Sequence, residues 1–420
     1  MGMTVSEKIL SRASGTKVSA GEIVQAQVDR AMSHDNAAMV SEIFQSLEYD
    51  TVWDRNRIVI PIDHRAPANI IEVANAQKRI REFVKKQSIP NFYDIKHGIC
   101  HQILPEKGHV QPGWLIVGSD SHTTTYGAFG AFSTGIGATE MAAVWATGEL
   151  WLKVPETIRI DLSGTLPFRV SAKDVILRII GTLKADGASY KAVEYHGEGI
   201  RSMGISGRMT LCNMTMEMDA KAGIVSPDAR TREFLESRIG GWPRELVELA
   251  TPEPDANYVE AHEFELSALE PQVACPHGVD NVRPVGEVSD VEIQQVVIGS
   301  CTNGRLEDLR ATAEILRGKT VHKDVRLLIV PASREVYMEA IREGIISDLL
   351  ESEAVILNPG CGPCLGSHQG ILAKGETALT TTNRNFRGRM GHRDSYIYLS
   401  SPETAAASAR TGFITDPRSI

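Results

Sequence analysis

Short apolar runs alternate along the chain with longer stretches whose apolar positions recur every three or four residues. That alternation predicts strands and amphipathic helices in α/β layers around largely parallel sheets. Strands are expected at 57–63, 113–120, 157–162, 293–300, 325–332, 354–359, 378–383 and 396–401, and helices at 67–87, 138–152, 172–185, 208–220, 305–317 and 333–346. Between 250 and 290 the chain becomes rich in proline and acids and loses clean periodicity, which places a domain junction there. No short repeat or low-complexity tract interrupts the pattern.

The residues that end these strands indicate where chemistry sits. Asp63-His64, Asp120-Ser121-His122, Cys301-Thr302-Asn303, the pair Cys361 and Cys364, and Asn383-Arg384 each follow a predicted strand. In open α/β sheets ligands bind in the crevice at the carboxyl ends of the strands. A single polar strand end is common; five of them point to one shared cleft.

Composition narrows the classes. The 420 residues, 42% hydrophobic and 23% charged, are ordinary globular material for two to four domains. Six cysteines are far too few for a disulfide scaffold. No apolar run approaches the roughly 18 residues of a membrane span, so no membrane insertion is expected. With 44 basic and 53 acidic residues the net charge is -9, which argues against a general affinity for nucleic acid. The start, MGMTVSEKIL, lacks the regions of a secretory signal, so the expected location is a reducing cytoplasm. Gly2 and Ser6 fit the loose myristoylation pattern, but the next residues read as a helix and the match as accidental.

The cysteines divide into two sets. Cys100, Cys212 and Cys275 are isolated and read as small structural hydrophobes. Cys301, Cys361 and Cys364 stand in glycine-rich turns, IGSCTNGR and NPGCGPCLGSH, that point thiols and backbone N–H groups into a cavity. Three readings compete for them. CGPC is a dithiol oxidoreductase motif, but no thioredoxin-sized arrangement surrounds it. Zinc needs a fourth ligand, for which His368 is nearest, and nothing pairs with Cys301 at finger spacing. A cluster held by three thiolates leaves one iron open to act as a Lewis acid.

Carboxylate-imidazole pairs tune histidine for general acid work, and Asp63-His64 and Asp120-Ser121-His122 offer two sets, with His101 upstream. On the helix at 208–218, Met209, Cys212 and Met216 form the core stripe, while Asn213 and Glu217, four apart, flank it on one face. Arg384, Arg387, Arg389 and Arg393 fall within ten residues, a candidate clamp for a multiply carboxylated substrate. The run at 127–140 lacks the third glycine of a dinucleotide fingerprint and reads as a close-packed turn into a helix.

Together these residues resemble the aconitase superfamily, and the motif order is similar to the large subunits of the 3-isopropylmalate dehydratase and homoaconitase group. The resemblance rests on HDNAA (34–38), IDH (62–64), GICHQILPEKG (98–108), GSDSHT (118–123), CNMTME (212–217), GSCTNGR (299–305), NPGCGPCLG (358–366), NRNFRGR (383–389) and LSSPETAAA (399–407). It implies three α/β/α lobes around a shared cleft, at 1–156, 157–284 and 285–420, without the swivelling fourth domain. It also implies one 4Fe-4S cluster on Cys301, Cys361 and Cys364, with Asn213, Asn303 and Asn383 near it. Asp63, His64, His101, Asp120, His122 and Glu217 match the family's acid-imidazole sets; Arg384, Arg389 and Ser121 match its substrate ligands.

The implied reaction is reversible dehydration and rehydration of a 2-hydroxy dicarboxylic or tricarboxylic acid, foremost 2-isopropylmalate to 3-isopropylmalate in leucine biosynthesis. HDNAA departs from the threonine-containing run usual in this group, which keeps homoaconitase and (R)-2-methylmalate or 2,3-dimethylmalate dehydratase open. An RNA-binding regulator is a further class, disfavoured by the acidic charge. The resemblance also implies a small-subunit partner carrying the base and specificity loop, in a heterodimer or heterotetramer. SREVYME (333–339) is the nearest serine-arginine candidate for that base within this chain, and it reads as the start of a helix.

Overall fold

The computed structural model describes residues 2–420, and its strands fall into three larger sheets and one small ribbon. The first sheet is all parallel, in the order Asn91–Tyr93, Ile58–Pro61, Arg30–Met32, Leu115–Gly118, Phe132–Gly135. Its inner strands are apolar on both faces because helices cover both, and Ile58–Pro61 and Leu115–Gly118 are buried throughout. The second sheet, also parallel, runs Ala222–Val225, Ala192–His196, Thr157–Ser163, Glu260–Glu265. The third has seven strands, with Gln295–Gly299 between Thr377–Thr380 and Arg326–Val330, and an antiparallel extension through Gln272–Ala274 and Val282–Pro284.

A lobe boundary at 284 leaves Gln272–Ala274 and Val282–Pro284 with the second lobe, whereas their pairing is to the third sheet. Sheet membership changes between 265 and 272 instead. One core cluster takes in Met32, Ile158, Met209, Val297 and Leu399, so the three sheets share apolar packing. Among the described residues no helix is long and apolar enough to cross a membrane.

The expected helices shift where side chains are used otherwise. The helix expected at 67–87 begins at Ile71, because the preceding segment contacts the cysteine loop: Asn69 donates to the Ser367 carbonyl and the Pro67 carbonyl pairs with His368 Nε2 at 2.7 Å. The helix expected to reach 152 ends at Thr147, where Gly148 takes φ 77°; Glu149–Lys153 then pairs with Ile23–Gln27 as the ribbon. The helix expected at 333–346 likewise stops at Arg342 before Gly344 at φ 76°. At 208–220 the α-helix covers Ile205–Met214 and gives way to a 3-10 turn, Thr215–Met218. That tighter turn leaves Met216 half-buried and brings Met214 and Met218 into the core.

His109 offers a stability prediction independent of function. It lies buried with Nε2 2.5 Å from the Tyr93 hydroxyl, and burial, with Arg30 nearby, pulls it down to about 4. An imidazole depressed in the fold costs nothing above the unfolded value near 6.5 and destabilises as pH falls toward 4. Thermal melts should therefore show a stability loss between pH 6.5 and 4 that is reduced in His109→Gln; an unchanged slope refutes it.

Candidate active site

Asp63 and His64 follow the strand Ile58–Pro61, and Asp120 follows Leu115–Gly118 two strands away in the same sheet. His64 Nδ1 lies 2.7 Å from Asp63 Oδ1, and its Nε2 faces Asp120 Oδ2 at 3.4 Å. Asp63 is wholly buried, and its other oxygen accepts the Cys100 N–H at 2.7 Å. His101 Nε2 reaches Asp120 Oδ1 at 2.8 Å, while its Nδ1 meets the Tyr126 hydroxyl at 3.1 Å. His122 is held at Nε2 by Glu217 Oε1 at 2.8 Å, and its backbone N–H donates to Asp120.

The charges follow from this wiring. Burial opposes an imidazolium at His64, but the Cys361 sulfur, Asp63 and Asp120 raise it well above its ordinary range. Burial would likewise raise Asp120, yet hydrogen bonds from His101, His122 and His64 hold it well below the usual carboxylate range. His122 is raised against its burial by hydrogen bonds with Asp120 and Glu217, and Glu217 is lowered against its own by His122 and Arg384. Two imidazoles are thus biased toward the protonated form beside ionised acids.

The thiols come from the third sheet. Cys301 opens the segment after Gln295–Gly299, directly behind Ser300, whose φ of 70° is uncommon for a side-chain-bearing residue. Cys361 and Cys364 occupy the turn beyond Val355–Ile356, and Asn383 and Arg384 follow Thr377–Thr380. The Cys361 N–H donates to the Asp63 carbonyl at 2.9 Å, which joins the cysteine loop to the acid pair. Gly366, at φ 66°, packs so closely that a Cβ there would stand 2.1 Å from the Arg389 carbonyl oxygen. The cysteine and arginine loops therefore interlock at a residue that only glycine can fill.

Around the sulfurs, Asn213 and Asn383 aim amide N–H groups at Cys301 Sγ, at 3.3 and 3.5 Å, and the Cys364 thiol faces Asn383 Oδ1 at 3.6 Å. Arg389 Nη2 lies 3.5 Å from Cys364 Sγ. Burial raises Cys301, and raises Cys361 to about 11; Cys364 is lowered, because Arg389 outweighs burial. Among the described residues, the one group of ligating atoms gathered within 4.8 Å is His34, Asp35, Asp63 and His64; the three thiols are not so close. Asp35, in turn, is occupied by the backbone N–H groups of Asp63, His64 and Arg65. His368, the candidate zinc ligand, spends Nε2 on the Pro67 carbonyl.

Other expected residues settle differently. Asn303 turns its amide to Asp308 at 2.9 Å instead of to a sulfur. Arg384 spends Nε on Glu217 and Nη2 on Ser121 Oγ at 3.0 Å. Arg387 and Arg393 are exposed. Ser333 caps its helix by accepting the Val336 N–H. Sequence reasoning passed over His34, stacked on His64 with ring centroids 3.8 Å apart, and Asn36, bonded to Ser119; HDNAA carried them without an assigned role. It also passed over Lys173, wholly buried, whose ammonium is drawn down to about 7 by burial although the Cys301 and Cys364 sulfurs raise it. A cavity of about 470 Å³ lined by His34, Asn36, Met39, His64 and Leu365 borders the acid pair. A larger one, about 710 Å³, lies apart from the acids and thiols, among Lys107, Arg310 and Arg342.

Comparison with known proteins adds four findings. A family model described as the aconitase family (aconitate hydratase) matches residues 7–290 and 283–412. The chain is 55% identical, over all of its length and 99% of the relative's, to a protein of Methanopyrus kandleri named 3-isopropylmalate dehydratase large subunit 1. It is 54% identical, over 94% of its length and all of the relative's, to a probable methanogen homoaconitase large subunit of Methanosarcina mazei. In fold it is similar to the crystal structure of Thermococcus kodakaraensis aconitase X in its holo-form, with TM-score 0.51 and 14% identity, covering 99% of this chain and 97% of that one.

Proposed function

The chain belongs to the aconitase family, and from that premise we propose that it is the large subunit of an iron-sulfur hydro-lyase interconverting 2-isopropylmalate and 3-isopropylmalate in the cytoplasm. One observation carries the reading: the acid-imidazole sets and the three thiols meet at a single place, joined by the Cys361–Asp63 hydrogen bond. Relatives named as homoaconitase subunits favour homoaconitate chemistry as the second reading. Exposed apolar residues at the start of the helix Ile71–Gln87 (Ile70, Ile71) and on neighbouring loops (Ile371, Phe386) suit cover by a small subunit.

Cys301, Cys361 and Cys364 would hold the 4Fe-4S cluster, and their burial with amide donors fits it. When bound, the cluster supplies an open iron that acts as a Lewis acid toward the departing hydroxyl. The chain's own residues manage protons. The Cys361 sulfur, Asp63 and Asp120 bias His64 toward its protonated form, so that it can deliver a proton to the hydroxyl as it leaves as water. His101 and His122, fixed by Asp120 and Glu217, hold the opposite side of the network. Arg384 and Arg389 supply guanidinium groups for substrate carboxylates, Arg384 keeping Ser121 in place.

The test is reconstitution with a small subunit and assay of 2-isopropylmalate, homocitrate and citramalate by absorbance of the unsaturated acid. Turnover of 2-isopropylmalate supports the reading; turnover of homocitrate alone replaces it with homoaconitase. Arg389→Lys should raise KM at least about tenfold, since weakening a charged hydrogen bond costs roughly 1.5 to 3 kcal/mol. Arg387→Lys should change little, and equal effects at the two positions remove Arg389 from the substrate site.

A further inference from the structure

Lys173 lies in the first turn of the helix Ala172–Leu183, whose start is fixed by Ser171 and Asp174. Its side chain is wholly buried, and Nζ donates to the carbonyls of Thr381 and Thr382 at 2.7 and 2.6 Å. Among the described residues no carboxylate oxygen lies within 4.0 Å of that nitrogen. A buried ammonium without an anionic partner is expensive, and cores seldom keep one unless the charge is used. By contrast Arg208, equally buried on the helix Ile205–Met214, has Asp228.

The two carbonyls that receive Lys173 belong to the residues directly before Asn383 and Arg384. Asn383 bonds Cys301 and faces Cys364, and Arg384 bonds Glu217 and Ser121. Thr381 also bonds Gly299 through its hydroxyl, two residues before Cys301. The lysine therefore ties a helix beside the second sheet to the strand end of the third from which these contacts radiate. Arg305 does the same work from the other side, donating to the carbonyls of Cys301 and Thr302. Arg389 adds a third cation at Cys364. If the three thiols hold a cluster as thiolates, Lys173, Arg305 and Arg389 are cations close enough to offset their charge.

We propose that Lys173 is a positioning residue of this site: it fixes the Thr381–Thr382 strand end that aims Asn383 and Arg384, and it provides the countercharge behind Cys301 and Cys364. The inference rests on the cluster reading above. Its charge should make one-electron reduction of the cluster easier, and its two hydrogen bonds should hold the amide donor and the guanidinium in register.

The test uses Lys173→Met, which keeps the stem and removes the charge, and Lys173→Gln, which keeps a neutral donor. Both are prepared anaerobically as full chains, checked by thermal melting, reconstituted, and titrated with dithionite while the reduced cluster is followed by electron paramagnetic resonance. The expected result is a midpoint potential shifted downward in both variants, faster bleaching in air, and in Lys173→Met with a small subunit a KM about tenfold higher, since charged hydrogen bonds are lost. A lysine that merely filled the core would leave the potential unmoved, so an unchanged potential in folded, loaded variants overturns the proposal. Loss of the fold in both variants also overturns it, by making Lys173 a core residue. Failure of the wild-type chain to take up iron and sulfide defeats the cluster reading instead, which separates the two failures.

Discussion

Cys301→Ser protein, prepared without oxygen and reconstituted with iron and sulfide, is expected to remain colourless, whereas Cys212→Ser turns brown like the wild type with about four irons per chain. The difference follows from what surrounds each thiol. Cys212 sits in the core on the helix Ile205–Met214, and burial raises its thiol far above the ordinary range with no donor set beside it. Cys301 receives amide N–H groups from both Asn213 and Asn383 and shares its neighbourhood with Cys361 and Cys364. A hydroxyl at 301 is a poor, hard ligand for iron, and with one of three anchors gone the cluster should be lost within the time of a desalting column. Iron and sulfide analysis decides it. A loaded Cys301→Ser with an empty Cys212→Ser reverses the assignment.

The reconstituted chain assayed by itself should turn over at least about 100-fold more slowly than with a small subunit, the usual worth of a general base. The reason lies in the bookkeeping of lone pairs at the site. Asp63 is committed to His64 and the Cys100 N–H, Asp120 to three imidazole-bearing residues, and Glu217 to His122 and Arg384. Each acid is therefore spent on orienting a cation, and His64 and His122 are biased toward protonated forms that donate instead of accepting. Ser333, the serine nearest the expected motif for a base, is an N-cap that also bonds Glu106. A proton on carbon has no acceptor among these groups, and the large-subunit names of the relatives imply a separate small subunit. Activity of the isolated chain equal to that of the pair refutes the prediction.

Much of this arrangement was legible because strands buried on both faces stand out as continuous apolar runs, and because the residues just after them, Asp63, Asp120, Cys301 and Asn383, retain their place whatever the helices do. Less legible were elements whose identity depends on a distant partner. Glu149–Lys153 reads as a helix tail until Ile23–Gln27 pairs with it, and Met216 leaves the core stripe only because the helix tightens at Thr215. His34 and Asn36 could be found only by asking what HDNAA was for, since stacking on His64 leaves no periodic mark. Lys173 was hidden for the opposite reason: a lysine in an amphipathic helix is read as its wet side, and here that position faces the end of another sheet. Asn303 sits in the most specific motif of the chain, yet its amide bond to Asp308, five residues on, was not to be read from that motif.

The hydrogen bond from the Cys361 N–H to the Asp63 carbonyl, and the seat of Gly366 against Arg389, also set a schedule. Arg389 follows Asp63 by 326 residues, an interval of roughly 15 to 65 s at synthesis rates of about 5 to 20 residues per second. The first sheet can form once Phe132–Gly135 has been made, but Asp63 then waits for Cys361, and Cys364 for Arg389, which come much later in the chain. On the proposed cluster reading, iron and sulfide can be taken up in full only after Cys364 has been translated, well after the residues of the first sheet. Supply of the inorganic parts, more than translation, should then limit how much working protein accumulates when iron is scarce.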